Sequence, residues 1–221
     1  MANEISVTKI SDFAFQNTIE RVINWSISKL GNDEVIKAKE DFFMKMGKVF
    51  YDDECYDSRM TLFTDHFLFE RYIESNHDYT YVTPYTIYLK EHNDEPLILH
   101  HRYSIYSIVS KRHGKIQLWD ILAEEKLEVE FVHNESPLGM NKNMIIQGFI
   151  FETKKRTLLS KGIIFHPPES LNILKKTIKI ERKNRCFYKS KFLSLAAKTQ
   201  LKNLRHSHVG NQAIYTLNSL S

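Results

Sequence analysis

The chain has 221 residues, 42% of them hydrophobic and 26% charged, with a formal net charge of +4. That is enough apolar material for one substantial core, and no apolar run approaches the roughly 18–20 residues that a membrane-spanning helix needs. Cys55 and Cys186 stand far apart with no CxxC pair, which argues against a disulfide framework and against a zinc module.

The first residues, MANEISVTKISDF, carry no basic head followed by an apolar block, so the cytoplasm is the expected compartment. Residues 11–30 place Phe15, Ile19, Val22, Ile23, Ile27 and Leu30 at helical spacing, with Ser11 or Asp12 as N-cap and Gly31 as a stop. A second helix is expected from Asp33 to Met46, ended by Gly47 and carrying a thinner stripe of Val35, Phe42, Phe43 and Met46.

The stretch Tyr56–Ile73 reads as a core helix. At about 100° per residue, Met60, Phe63 and Phe67 share one arc and Leu62, His66, Phe69 and Ile73 a neighbouring one. Only a narrow polar face remains, made of Asp57, Thr61, Thr64, Asp65, Arg71 and Tyr72, with Leu68 as its apolar exception. Arg59 and Glu70 fall between the apolar arcs, about three turns apart, so each needs a separate partner. The acidic loop Asp52–Glu54 precedes the helix where its dipole favours negative charge.

Thr83-Pro84 starts a short helix through Glu91. The pattern then becomes β: RYSIYSIVSK, KIQLWDIL, KLEVEFV, NMIIQGFIFE and TLLSKGIIF are five short strand candidates. Pro167-Pro168 opens a helix with Leu171, Leu174 and Ile178 inward. A second basic helix follows, with the stripe Leu193, Ala197, Leu201 and Leu204. The expected fold is α+β: N-terminal helices (1–96) packed as one core on a small five-stranded antiparallel curled sheet or barrel (97–166). A basic helical arm (167–205) and a flexible tail (206–221) complete it.

The positions Phe43, Gly47, Phe50, Asp53, Arg59, Met60, Phe63, Phe69 and Arg71, followed by RYSIYSI and IQLWDIL, resemble a group of uncharacterised bacterial cytosolic proteins over Phe43 to Pro168. The shared features are hydrophobic spacings, and the resemblance implies no activity for any residue.

Chemical signatures are sparse. The two Gly-Lys pairs lack the upstream glycine of a phosphate-binding loop, and GxSxG and HExxH do not occur. No catalytic residue, metal or cofactor is expected; His100-His101 and His206-x-His208 read as surface histidines. Arg59, His66 and Glu70 are candidate buried polar or anion-pocket residues. Arg59 either joins an internal carboxylate, with Asp53, Asp57 and Asp120 as candidates, or faces a pocket that receives an anion. Glu70 has the same two readings, with Arg102 as its expected cation.

Charge is unevenly spread. Lys175 to Arg205 holds eight lysines and three arginines against Glu181 alone, a net +10, while residues 1–174 carry twenty basic and twenty-six acidic residues, a net −6. Such asymmetry fits a polyanionic partner or an arm folded back on its own acidic body. Cations interleaved with aromatics make Lys175, Lys176, Lys179, Lys183, Arg185, Phe187, Tyr188, Lys189 and Lys191 the candidate nucleic-acid residues. A non-enzymatic binding or regulatory module with a protein partner ranks first. An RNA- or DNA-binding protein using the basic segment ranks second, and an enzyme with an unrecognised site third.

Overall fold

In the computed structural model, which describes residues 2–74, 81–131, 140–183 and 187–220, the chain begins with three helices. They are α1 (Ala2–Leu30), α2 (Asn32–Met46) and α3 (Tyr56–Phe69). α1 reaches back to Ala2, beyond the Ser11–Asp12 cap read from the sequence, and buries Phe15 and Val22. α3 stops at Phe69 instead of Ile73: the Glu70 amide donates to the His66 carbonyl as a cap, and the chain turns away. Arg71, freed from the helix, bridges back to Glu34 at 2.9 Å and Asp41 at 2.7 Å on α2.

A two-strand ribbon, β1 (Ile73–Glu74) with β2 (Tyr81–Val82), leads into α4 (Pro84–His92). Thr83 caps α4, its hydroxyl accepting from the Thr86 amide, and Pro84 occupies the first turn where no amide is missed.

The strands β3 (Ile98–Arg112), β4 (Lys115–Asp120), β5 (Glu125–Phe131), β6 (Ile145–Thr153) and β7 (Thr157–Leu159) close a barrel in the order β3-β4-β5-β7-β6, with β6 pairing back onto β3. One pairing, β5 with β7, is parallel, so the antiparallel sheet read from the sequence is a closed mixed barrel. Parity requires this: an odd number of strands cannot alternate direction all the way round a ring. The connectivity is that of a Greek-key barrel of the OB type. The fifth strand candidate splits, because β8 (Ile164–His166) leaves the barrel and pairs with the other half of β6.

Tyr106, Ile108, Ile116, Leu118, Val129 and Ile146 fill the barrel. On the opposite face of β3 and β6, Tyr103, Ile105, Phe149 and Phe151 pack against the helices. β6 is thus covered on both faces, which explains its uninterrupted apolar run, whereas β5 borders solvent and alternates.

A 3-10 turn at Pro168–Ser170 precedes α5 (Leu171–Lys183) and α6 (Lys189–Arg205), and α7 (Asn211–Ile214) and α8 (Leu217–Leu220) end the described chain. α6 packs on α2 and buries Phe192, Leu193, Ala196, Ala197 and Leu201 in the main core. The segment read as a flexible tail holds α7 and α8 and buries Ile214, Tyr215 and Leu220, because Tyr215 finds a buried partner in His166. Among the described residues no helix is long and apolar enough to cross a membrane.

Asp65 and Leu68, placed on the polar face of α3 by periodicity, are buried as well. The link between β7 and β8 covers that side. Ser160 donates to the Asp65 carboxyl, and a Cβ added at Gly162 would lie 2.6 Å from the Leu62 amide nitrogen.

Candidate functional site

Gly47 brings the two helices of the site together. With φ of 93° it ends α2 in a conformation that favours glycine, and a Cβ there would lie 2.9 Å from the Leu201 side chain of α6. Between the last turn of α2, the second half of α3 and the first half of α6 lies a cavity of ≈ 790 Å³. Met44, Lys45 and Met46 line it from α2, His66 and Glu70 from α3, and residues 187–198 from the other wall, with Tyr103 of β3 among its lining.

The cavity is cationic. Lys45, Lys189, Lys191 and Lys198 all border it, and none of these four joins an ion pair among the described residues. Tyr188, the residue at the N-cap of α6, supplies no side-chain cap, so the first-turn amides add the positive end of a 17-residue helix to the same wall. Glu70, the one acid among the described residues of the lining, is 3.4 Å from His101, and that hydrogen bond holds its carboxyl below the usual range. Arg102, its expected cation, turns instead to Asp120 and Glu125, which lie beside it on the barrel. His66 packs edge-on against Phe42, with burial pushing its pKa down to about 4, so it enters the cavity as a neutral imidazole.

The two aromatics of the basic segment behave differently. Phe187 packs on Phe192 with the Arg182 guanidinium over its ring, whereas Tyr188 is 71% exposed at the cavity. Of the residues singled out from sequence, His66, Glu70, Phe187, Tyr188, Lys189 and Lys191 meet here. Lys175, Lys176, Lys179 and Lys183 stand on the exposed face of α5, with Lys176 beside a second cavity of ≈ 330 Å³ that Tyr215 also lines. Arg185 and Cys186 lie outside the described residues. Sequence reading missed Lys45, Lys198 and Tyr103. Lys198 was within reach, two helical turns after Lys191 on the same face; Lys45 had no local signal, because it arrives from a different helix.

Arg59 corrects the internal-bridge expectation. It is 1% exposed, yet the oxygens it donates to among the described residues are neutral: the Met46 carbonyl at 3.2 Å, the Ala197 carbonyl at 2.8 Å and Gln200 Oε1 at 2.7 Å. Asp53 is taken by Arg205 at 2.7 Å, and Asp120 by Ser104 and backbone amides of the β4–β5 turn. Asp57 joins no ion pair among the described residues. Met46 is the last residue of α2, so the guanidinium caps the negative end of that helix, a partial compensation for its burial.

A chain of buried hydrogen bonds runs behind the cavity. Tyr215 Oη lies 2.8 Å from His166 Nδ1, His166 Nε2 2.9 Å from Gln147 Oε1, and Gln147 Nε2 donates to Tyr103 Oη at 2.5 Å and to the Leu193 carbonyl at 2.8 Å. Burial first, and then the charge of Arg59, pushes the His166 pKa down to about 3, so the ring is neutral.

The outer face of β4 and β5, where OB-type barrels commonly take their ligands, is of another character. Lys115 pairs with Glu128 at 2.7 Å and Arg156 with Glu130 at 3.3 Å, leaving a face of compensated charge. Among the described residues no group of three or more His, Cys, Asp or Glu side chains gathers where a metal ion could be held. No family model, no curated protein and no solved structure matches the chain. The cavity therefore carries the functional argument alone.

Proposed function

We propose that the chain is a non-enzymatic binding module that holds a single-stranded segment of RNA or DNA in the lysine-lined cavity. The observation that carries this reading is the convergence on one cavity, beside an exposed tyrosine, of four lysines that join no ion pair among the described residues. Phosphates would lie against Lys45, Lys189, Lys191 and Lys198, displacing counterions, while a base stacks on Tyr188. A partner protein with an acidic segment would use the same lysines without needing the ring.

Titration of a labelled single-stranded oligonucleotide at two ionic strengths tests the proposal. With all four lysines engaged, log K should fall by about 3 per log unit of salt, from roughly 0.7 per phosphate contact. The double variant Lys189→Gln, Lys191→Gln should lower that slope by about 1.4. Tyr188→Ala should weaken binding by about 1–3 kcal/mol at either salt concentration. Absence of binding at about 50 mM salt, where phosphate contacts are strong, would sink the reading.

A further inference from the structure

The direction of every proton in the buried chain can be assigned from one carbonyl. The Leu193 oxygen can only accept, so the Gln147 nitrogen faces it at 2.8 Å and the Gln147 oxygen must face His166. His166 therefore carries its proton on Nε2, and Nδ1 accepts from the Tyr215 hydroxyl. At the far end, Gln147 donates to the Tyr103 oxygen, which leaves the Tyr103 hydroxyl hydrogen unused. Among the described residues no acceptor receives it.

Tyr103 is 7% exposed and borders the cavity. A buried hydroxyl donor without an acceptor is costly, and the cavity that Tyr103 borders is where a ligand could supply one. Its ring is clamped against Phe149, centroids 4.8 Å apart, so the hydroxyl is held in place. Burial pushes the phenol's pKa well up, so it remains an O–H donor at neutral pH.

We propose that Tyr103 is the recognition donor of the lysine cavity, giving its hydroxyl hydrogen to a phosphate oxygen of the bound strand. This rests on the nucleic-acid reading above, and adds a contact that the lysines, as mobile point charges, cannot supply: a fixed donor that sets where one phosphate sits.

The test is fluorescence anisotropy with a labelled oligothymidylate on wild type and Tyr103→Phe. The variant should bind roughly ten- to a hundredfold more weakly, as expected for a lost hydrogen bond to a charged acceptor, with an unchanged salt slope because no lysine is removed. Equal affinity in variant and wild type overturns the assignment and leaves the nucleic-acid reading standing. A salt slope that falls in the variant also overturns it, since the lysines would then have moved. Failure of the wild type to bind overturns both. Where the variant is too unstable to titrate, proton NMR of the wild type decides: the Tyr103 hydroxyl resonance should move downfield on saturation with the strand, and an unmoved resonance overturns the proposal.

Discussion

At the scale of single residues, the side chains that govern this molecule are polar groups that burial forces into unusual states. Arg59 was legible as buried, because it falls between two apolar arcs of its helix, but its partners were not. They are carbonyls and an amide brought from α2 and α6, and backbone oxygens have no sequence signature. Asp65 was misplaced for a related reason: a carboxyl on a helix face reads as solvated unless another segment is known to cover it. Burial pushes its pKa up to about 7, with the Ser160 hydroxyl opposing the shift. The sign for stability follows from linkage. Below about pH 4 the carboxyl is protonated in both states and costs nothing; as pH rises towards about 7 the unfolded chain releases the proton first, and stability falls. Asp65→Asn should therefore match wild type near pH 4 and become the more stable protein by up to about 4 kcal/mol at about pH 8. His66 and His166, whose depressed values act in the opposite direction, are present in both proteins and cancel in the difference. Urea denaturation across that range checks it, and a constant difference between the two proteins would contradict the buried, shifted carboxyl.

At the scale of elements, periodicity read most of the helices and strands, because one-sided or two-sided burial leaves a countable pattern. It failed where a segment changes partner midway. TLLSKGIIF reads as one strand, yet its first part pairs with residues 150–152 of β6 and its last part with residues 145–147. The break falls at Ser160–Gly162, where the chain steps over α3, and there the glycine matters. A methyl at Gly162 would meet the Leu62 nitrogen at 2.6 Å and its Cα at 2.7 Å, both backbone atoms that cannot rotate away. Gly162→Ala should therefore cost about 2 kcal/mol or more through forced separation of α3 from the barrel. Gly210→Ala, with nothing within 4 Å of the added carbon, should stay within about 0.5 kcal/mol of wild type. A pair of thermal melts compares them, and equal midpoints would show that the seam between α3 and the β7–β8 link is loose.

At the scale of the whole molecule, the charge asymmetry seen in the sequence has a mixed physical answer. Two arginines of the basic segment fold back on the acidic body, Arg182 onto Glu124 and Arg205 onto Asp53, each at 2.7 Å, while its lysines join no ion pair among the described residues. An arm was a fair reading of a charge profile, because charge reports the solvated face and says nothing of the buried one. That buried face makes α6 structural: it carries Phe192, Leu193 and Leu201 in the core, and it supplies the Ala197 and Gln200 oxygens to Arg59 and the Leu193 carbonyl to Gln147. A chain ending before α6 would lose roughly 1.5–3 kcal/mol for each of the three large side chains. It would also strip Arg59 of two of its three acceptors, and an uncompensated buried charge costs about 3–5 kcal/mol. The sum approaches or exceeds the roughly 5–15 kcal/mol by which a domain is stable at all. Truncation after residue 186 should accordingly abolish cooperative thermal unfolding, leaving a sloping calorimetric trace. A truncated chain that still melts in one sharp transition would show that α6 is an appendage, and would detach the cavity's lysines from the fold that positions them.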